Sequence, residues 1–287
     1  MVRVPLTVVS IAILVVATGG GPSYAANPIR TGFASTLPVD SVRAGMTGYG
    51  LTVFHGTTID SFPVTILGVL KGNRPSADLI LARGSGDFLE RTGIIAGMSG
   101  SPVYIGGRLI GAISYTWAFT KDPVAGITPI GEMLGSLRSW PEEKLGSSDA
   151  RYGALDLPPG DTSPLPGEAH PIATPLAFSG FTPEALRYLD PWLKDHGFVS
   201  APGGGAPGGG SCDSLVPGAA VGVELVRGDM SATAIGTVTY RDGSRVLAFG
   251  HPFYALGRVK LPMTAATIHT IFASQQISTK VGSATRT

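Results

Sequence analysis

GMSGSPVYIGGRLIGAISY, Gly97–Tyr115, carries two signals that decide what kind of fold this chain forms. Its second half reads as a β-hairpin. Val103-Tyr104-Ile105 and the run from Arg108 to Tyr115 flank Gly106-Gly107, and a Gly-Gly pair suits the left-handed backbone of a two-residue turn. Its first half, Gly97–Pro102, is a glycine-rich connection that sets Ser99 just ahead of a strand. Ser99 is either a nucleophile held in that turn or a small residue that happens to occupy it.

The same punctuation runs along the chain. Met46–Leu70 gives short β-rich runs broken by glycines, Asp78–Arg83 reads as a buried strand, and Ile94-Ile95-Ala96 leads into the serine turn. Further on, Thr237–Tyr240 and Arg245–Phe249 flank Arg241-Asp242-Gly243-Ser244, whose Asp-Gly pair signals a second hairpin. That hairpin delivers Gly250-His251-Pro252 at its end. With 41 glycines and 23 prolines among 287 residues, the chain reads as mainly β, with one helical insertion. In FTPEALRYLDPWLKDHGF, Thr182 can cap, Pro183 fits the first helical position and Glu184 favours the N-terminal dipole. Pro191 predicts a break into two short helices.

Composition bounds the partners. The formal net charge is +1 and only 14% of residues are charged, so nothing points to nucleic acid or an anionic membrane face. Residues 1–26 read as a signal peptide: Arg3 before an apolar run from Pro5 to Thr18, then Ser23-Tyr24-Ala25 as a small-x-small cleavage site. The mature protein is then secreted or periplasmic, with no stable membrane insertion after cleavage. Residues 27–140 form a β-rich part carrying the serine turn. Residues 141–214 form a Pro/Gly-rich connection with the helical segment, ending in APGGGAPGGGS. Residues 215–287 form a second β-rich part, and its stop at GSATRT without a capping element reads as a truncation.

Cys212 is the single cysteine, which excludes an intrachain disulfide and a cysteine zinc site. The five histidines (His55, His170, His196, His251, His269) show no paired ligand spacing, so neither metal nor organic cofactor is called for. His251 has the setting of a base, at a strand end between a glycine and a proline. His196 reads as a cation at a helix C-terminus and His269 as a core histidine.

The serine motif does not fit the strand-to-helix elbow G-x-S-x-G, because position 101 is serine and a hairpin follows. GMSGSP instead matches the G-x-S-G-x-P turn of chymotrypsin-like barrel proteases at every fixed position. In such a turn the amides of Gly97 and Ser99 can face a developing oxyanion. GMSGSPVYIGGRLIGAISY, with DPVAGITPIGEML after it, resembles the serine region of the SpoIVB peptidases of bacterial sporulation. GTVTYRDGSRVLAFGHPF resembles the segment of that family that bears its histidine. The resemblance implies an exported serine endopeptidase on a chymotrypsin-like barrel, acting on a protein or peptide, with Ser99 as nucleophile and His251 as general base. Here the histidine segment follows the serine segment rather than preceding it, and no PDZ module is evident. The family's acid falls on Ser85 in DLILARGSGDFLERTGIIAGMS, so Asp87, two residues on, is the candidate acid and Asp78 the alternative. The rival expectation is a catalytically inactive binding or regulatory module of the same fold.

Overall fold

The structure, a computed structural model, describes residues 35–74, 77–118, 120, 122–138, 169–204, 211, 214–253 and 261–285. The expected signal peptide, Cys212 and about half of the Pro/Gly-rich connection, residues 141–168, 205–210 and 212–213, lie outside the described residues. The protein is mainly β, with few helices: a six-stranded antiparallel barrel joined to a half-barrel, consistent with the chymotrypsin-like two-barrel architecture.

The barrel is built from β1 (Thr47–Val53), β2 (Ile59–Arg74), β3 (Ala77–Gly84), β4 (Pro102–Ile105), β5 (Arg108–Thr116) and β6 (Val124–Pro129). The strand order β4-β1-β2-β3-β6-β5 closes because β5 also pairs with β4. The β4–β5 turn is Gly106-Gly107, at φ of 55° and 73°, as the Gly-Gly pair predicts. Short α1 (Asp87–Thr92) precedes the serine turn, and α2 (Ile130–Arg138) follows β6. Phe62, Val64, Ile66, Ile80, Val103, Ile113 and Ile127 alternate inward along these strands to fill the barrel.

The second sheet holds β8 (Thr174–Ser179), β9 (Phe198–Pro202), β10 (Ala220–Val226), β11 (Ser231–Asp242), β13 (Met263–Phe272) and β14 (Thr279–Thr285), in the order β14-β13-β10-β11-β8-β9. Two-residue β7 (His170–Pro171) pairs with β5, and β12 (Arg245–Ala248) pairs with β11 across the expected Asp242-Gly243 hairpin. β8 and β9 come from the stretch read as a connection; they pair in parallel, joined by the helix α3 (Pro183–Asp195).

Thr182 caps α3 as expected, its hydroxyl accepting from the Ala185 amide. The break at Pro191 does not occur: α3 is one 13-residue helix with the proline inside it. Its apolar side, Leu186, Leu189 and Leu193, packs on the core of the second sheet, and that burial outweighs one lost backbone bond.

The two sheets share apolar contacts. Tyr104, Leu109 and Ala112 of the barrel cluster with Tyr240 and Leu247 of β11 and β12, while Val53 packs with Ala220, Ile235 and Ile268. Gly56, after β1, exchanges both backbone bonds with Ile268 on β13.

Candidate active site

The serine turn leaves the barrel between α1 and β4. Its two glycines lie at φ of 95° (Gly97) and 93° (Gly100), a region that favours glycine. Between them, Met98 inserts its side chain into the barrel core, which anchors the turn from inside. The Met98 amide donates to the Ile95 carbonyl and the Ser101 amide to the Met98 carbonyl; Gly100 and Ser101 exchange backbone bonds with Ile113 on β5.

The second sheet clamps the other side. Thr237 donates its amide to the Ser99 carbonyl and its hydroxyl to the Gly97 carbonyl, each at 2.9 Å. Thr239 donates its hydroxyl to the Gly100 carbonyl at 2.7 Å, and the Lys280 amide donates to the Ala96 carbonyl at 3.1 Å. Every carbonyl from Ala96 to Gly100 is therefore occupied. Among the described residues, by contrast, no acceptor takes the amides of Gly97 or Ser99. Both residues are buried, and unpaired buried amides are rare in proteins. Because a trans peptide points its N–H away from its carbonyl, anchoring Ala96 to β14 turns the Gly97 amide away from that strand. Ser99 itself is 0% exposed and its Oγ has no hydrogen-bond partner.

His251 arrives on a strained turn. Phe249 is the one non-glycine residue at positive φ (64°) among the described residues, and Gly250 follows at 73°. A bulky side chain in that region is an outlier that surrounding packing must hold. The Phe249 ring fills the place where a Cβ on Gly236 would stand, 2.3 Å away. Gly250 sits tightly against Ser114 of β5, and its carbonyl accepts from the Thr128 hydroxyl on β6 at 2.8 Å. A turn from the second sheet is thus seated on the barrel. The serine turn meets it backbone to backbone: a Cβ on Gly100 would lie 2.0 Å from the Thr237 carbonyl oxygen and 2.5 Å from the Phe249 nitrogen.

The imidazole of His251 is buried, and its Nδ1 donates to the Pro252 carbonyl at 2.9 Å. In the neutral ring that bond leaves the lone pair on Nε2, which is buried without a partner. Burial pushes the imidazole below its ordinary pKa, and the backbone of Pro252 and Ile172 pulls less strongly the other way. The ring is a neutral proton acceptor at pH 7. Since Ser99 Oγ and His251 Nε2 are both unpartnered, no hydrogen bond joins them.

Neither candidate acid bonds to His251. Asp87 opens α1 with its side chain exposed. Asp78 lies on β3, paired with Lys71 at 2.8 Å, which holds its carboxyl below the usual range. His196 ends α3, with Nδ1 on the Trp192 carbonyl. His269 is not a core residue: it projects from the exposed face of β13 and bonds Ser283, because the inward positions there belong to Ala266 and Ile268.

One residue at this site escapes sequence reading. Lys280, in TKVGSAT, is 0% exposed. Its side-chain carbons press on Gly97, where a Cβ would come within 3.0–3.3 Å of them. Its Nζ donates to the Thr52 hydroxyl at 2.6 Å. Burial pulls its pKa down to about 7, against a smaller opposing pull from Asp60. The available signal was a lone cation in a strand of small and β-branched residues.

Residues 27–134 match the family model SpoIVB peptidase S55. The match contains Ser99 and all six barrel strands, and ends before His251 and Lys280. Searches of curated proteins and of solved structures return no significant match.

Proposed function

From the match of residues 27–134 to a peptidase family model we propose that the protein is an exported serine endopeptidase acting on a protein substrate, with Ser99 as nucleophile and His251 as general base. The observation that carries the reading is the pair of buried, unpartnered atoms, Ser99 Oγ and His251 Nε2, on two turns that pack against each other. Buried polar atoms are ordinarily paired. Two left open on adjoining turns suit a site completed by substrate, where catalytic hydrogen bonds tighten.

The chemistry follows from the atoms. Nε2 takes the Ser99 proton as Oγ attacks the scissile carbonyl, and the free amides of Gly97 and Ser99 receive the oxyanion. The imidazolium then protonates the leaving amine, and water, deprotonated by the same ring, releases the acyl group. The Pro252 carbonyl fixes the Nδ1–H tautomer, the orienting role that a triad carboxylate fills elsewhere. Because Ser99 is enclosed, a peptide reaches it only when the covering chain opens. Export rests on the N-terminal leader pattern over residues 1–26.

The test is fluorophosphonate labelling of the folded protein. Wild type is expected to label at Ser99, Ser99→Ala not at all, and His251→Ala at least about 100-fold more slowly. Asp87→Asn is expected to stay within about threefold of wild type, whereas loss of a true orienting carboxylate would cost on the order of 10⁴. A folded wild type that never labels would instead make this an inactive binding module of the same fold. N-terminal sequencing of protein recovered outside the cytoplasm tests export, with a start near Asn27 expected.

A further inference from the structure

A lysine is almost never fully buried without an ion-pair partner. Lys280 is: its Nζ meets the Thr52 hydroxyl, and no carboxylate lies within ion-pair distance among the described residues. Such a group is a poor stabiliser, because apolar replacements of the same shape are often neutral or better. Its place in the fold suggests another purpose.

Its contacts lead in one direction. The Thr237 hydroxyl gives its single proton to the Gly97 carbonyl. In the 3.4 Å contact between the Thr52 and Thr237 hydroxyls, Thr52 must therefore be the donor. Thr52 in turn accepts from Lys280 Nζ. The relay Lys280–Thr52–Thr237 thus ends on the peptide between Gly97 and Met98. The main chain of Lys280 independently holds the Ala96 carbonyl, and its side-chain carbons lie under Gly97. Lys280 thus holds one peptide flanking Gly97 directly, through the Ala96 carbonyl, and reaches the other through the relay.

We propose that Lys280 is a positioning residue for the serine turn, and that the charge on its amine is transmitted through Thr52 and Thr237 to the Gly97–Met98 peptide, which lies between the two peptides that present the Gly97 and Ser99 amides. The inference rests on the reading of those amides as the oxyanion site. An ammonium donates a stronger hydrogen bond than an amine, and bonds in series polarise one another. The relay's pull on the Gly97 carbonyl therefore differs between the two charge states. Asp60 on β2 is the charged group whose field reaches Lys280. From β1 and β11 the relay brings hydroxyls, and the serine turn brings backbone. On β13, Ile271 stands opposite Lys280, and His269 is engaged with Ser283. With its pKa near 7, the amine changes charge in the range where the enzyme would work.

The experiment follows the amide resonances of Gly97 and Ser99 by NMR from pH 5.5 to 9, in wild type, Lys280→Met, Thr52→Val and His251→Gln. Methionine keeps the carbons under Gly97 and removes the amine. Both resonances are expected to titrate with a midpoint near 7 in wild type and in His251→Gln. In Lys280→Met and in Thr52→Val they are expected to be flat. A flat wild type, or an inflection that survives in Lys280→Met, overturns the proposal. If Lys280→Met does not fold, Thr52→Val, which cuts the relay while keeping the lysine, decides it on the same criterion. Fluorophosphonate labelling serves as the second readout: Lys280→Met should label about tenfold more slowly and lose the inflection near 7. Should wild type not label at all, the peptidase reading fails while the resonances still judge the relay.

Discussion

At the scale of single residues, the site depends on side chains taken out of water. Lys280 and His251 both have their charged forms disfavoured by burial, yet their effects on stability fall in different pH windows. For Lys280 the folded pKa is about 7 against an ordinary 10.5. Below pH 7 both folded and unfolded chains carry the proton, and the full penalty of a buried ammonium is present. Between 7 and 10.5 the unfolded chain binds more protons, so stability rises with pH by at most ~1.4 kcal/mol per unit. Urea titrations at pH 6, 7.5 and 9 should therefore show wild type gaining on Lys280→Met as pH rises. Parallel curves for the two proteins would mean that the amine is not held as the structure has it. His251 acts at lower pH: below 6.5 the unfolded imidazole takes up a proton that the folded one resists, so its contribution falls on acidification.

Two turns, each impossible without glycine, meet at the scale of elements. Replacing Gly100 would drive a methyl into the Thr237 carbonyl and the Phe249 amide at a φ of 93° that alanine resists. Gly100→Ala is expected to lower stability by about 3 kcal/mol or more and to abolish labelling at Ser99. Gly107→Ala, in the open β4–β5 turn with nothing within 4 Å of the added carbon, should lose only about 1 kcal/mol, from backbone strain, and keep labelling. Urea midpoints for the pair separate the clash from the φ effect. The turns were legible in the sequence because Gly-Gly, Asp-Gly and the serine hexapeptide demand left-handed backbone locally, whatever the chain does elsewhere. What they dock against was not legible. The threonines that clamp the serine turn sit about 140 residues away in an ordinary β run, and Lys280 gains meaning only when β14 is laid beside Ala96. The unbroken α3 escaped for the same kind of reason: Pro191 speaks locally for a break, and the core beneath Leu186, Leu189 and Leu193 overrules it.

For the molecule as a whole, the proposed nucleophile Ser99 belongs to the barrel, and the proposed base His251, the threonine clamp and the buried lysine belong to the second sheet. On that reading neither half carries a complete site. The permuted order of serine and histidine along the chain is then of no chemical consequence, since a triad is defined by where atoms meet. The same division makes stability and function depend on one boundary. Thr237 and Thr239 bring three hydrogen bonds across it to Gly97, Ser99 and Gly100, alongside the shared cluster around Tyr104, Tyr240 and Leu247. If that boundary is continuous core, the two sheets unfold together, and calorimetry on wild type should give one transition whose calorimetric and van't Hoff enthalpies agree. Thr237→Val with Thr239→Val keeps shape and the Thr237 amide but removes both hydroxyl donors, leaving two buried carbonyls unpaired. That double variant should lose about 2–4 kcal/mol and label far more slowly. Two resolved transitions in wild type would instead show that the sheets hold themselves up separately, and that the serine turn keeps its shape without the clamp.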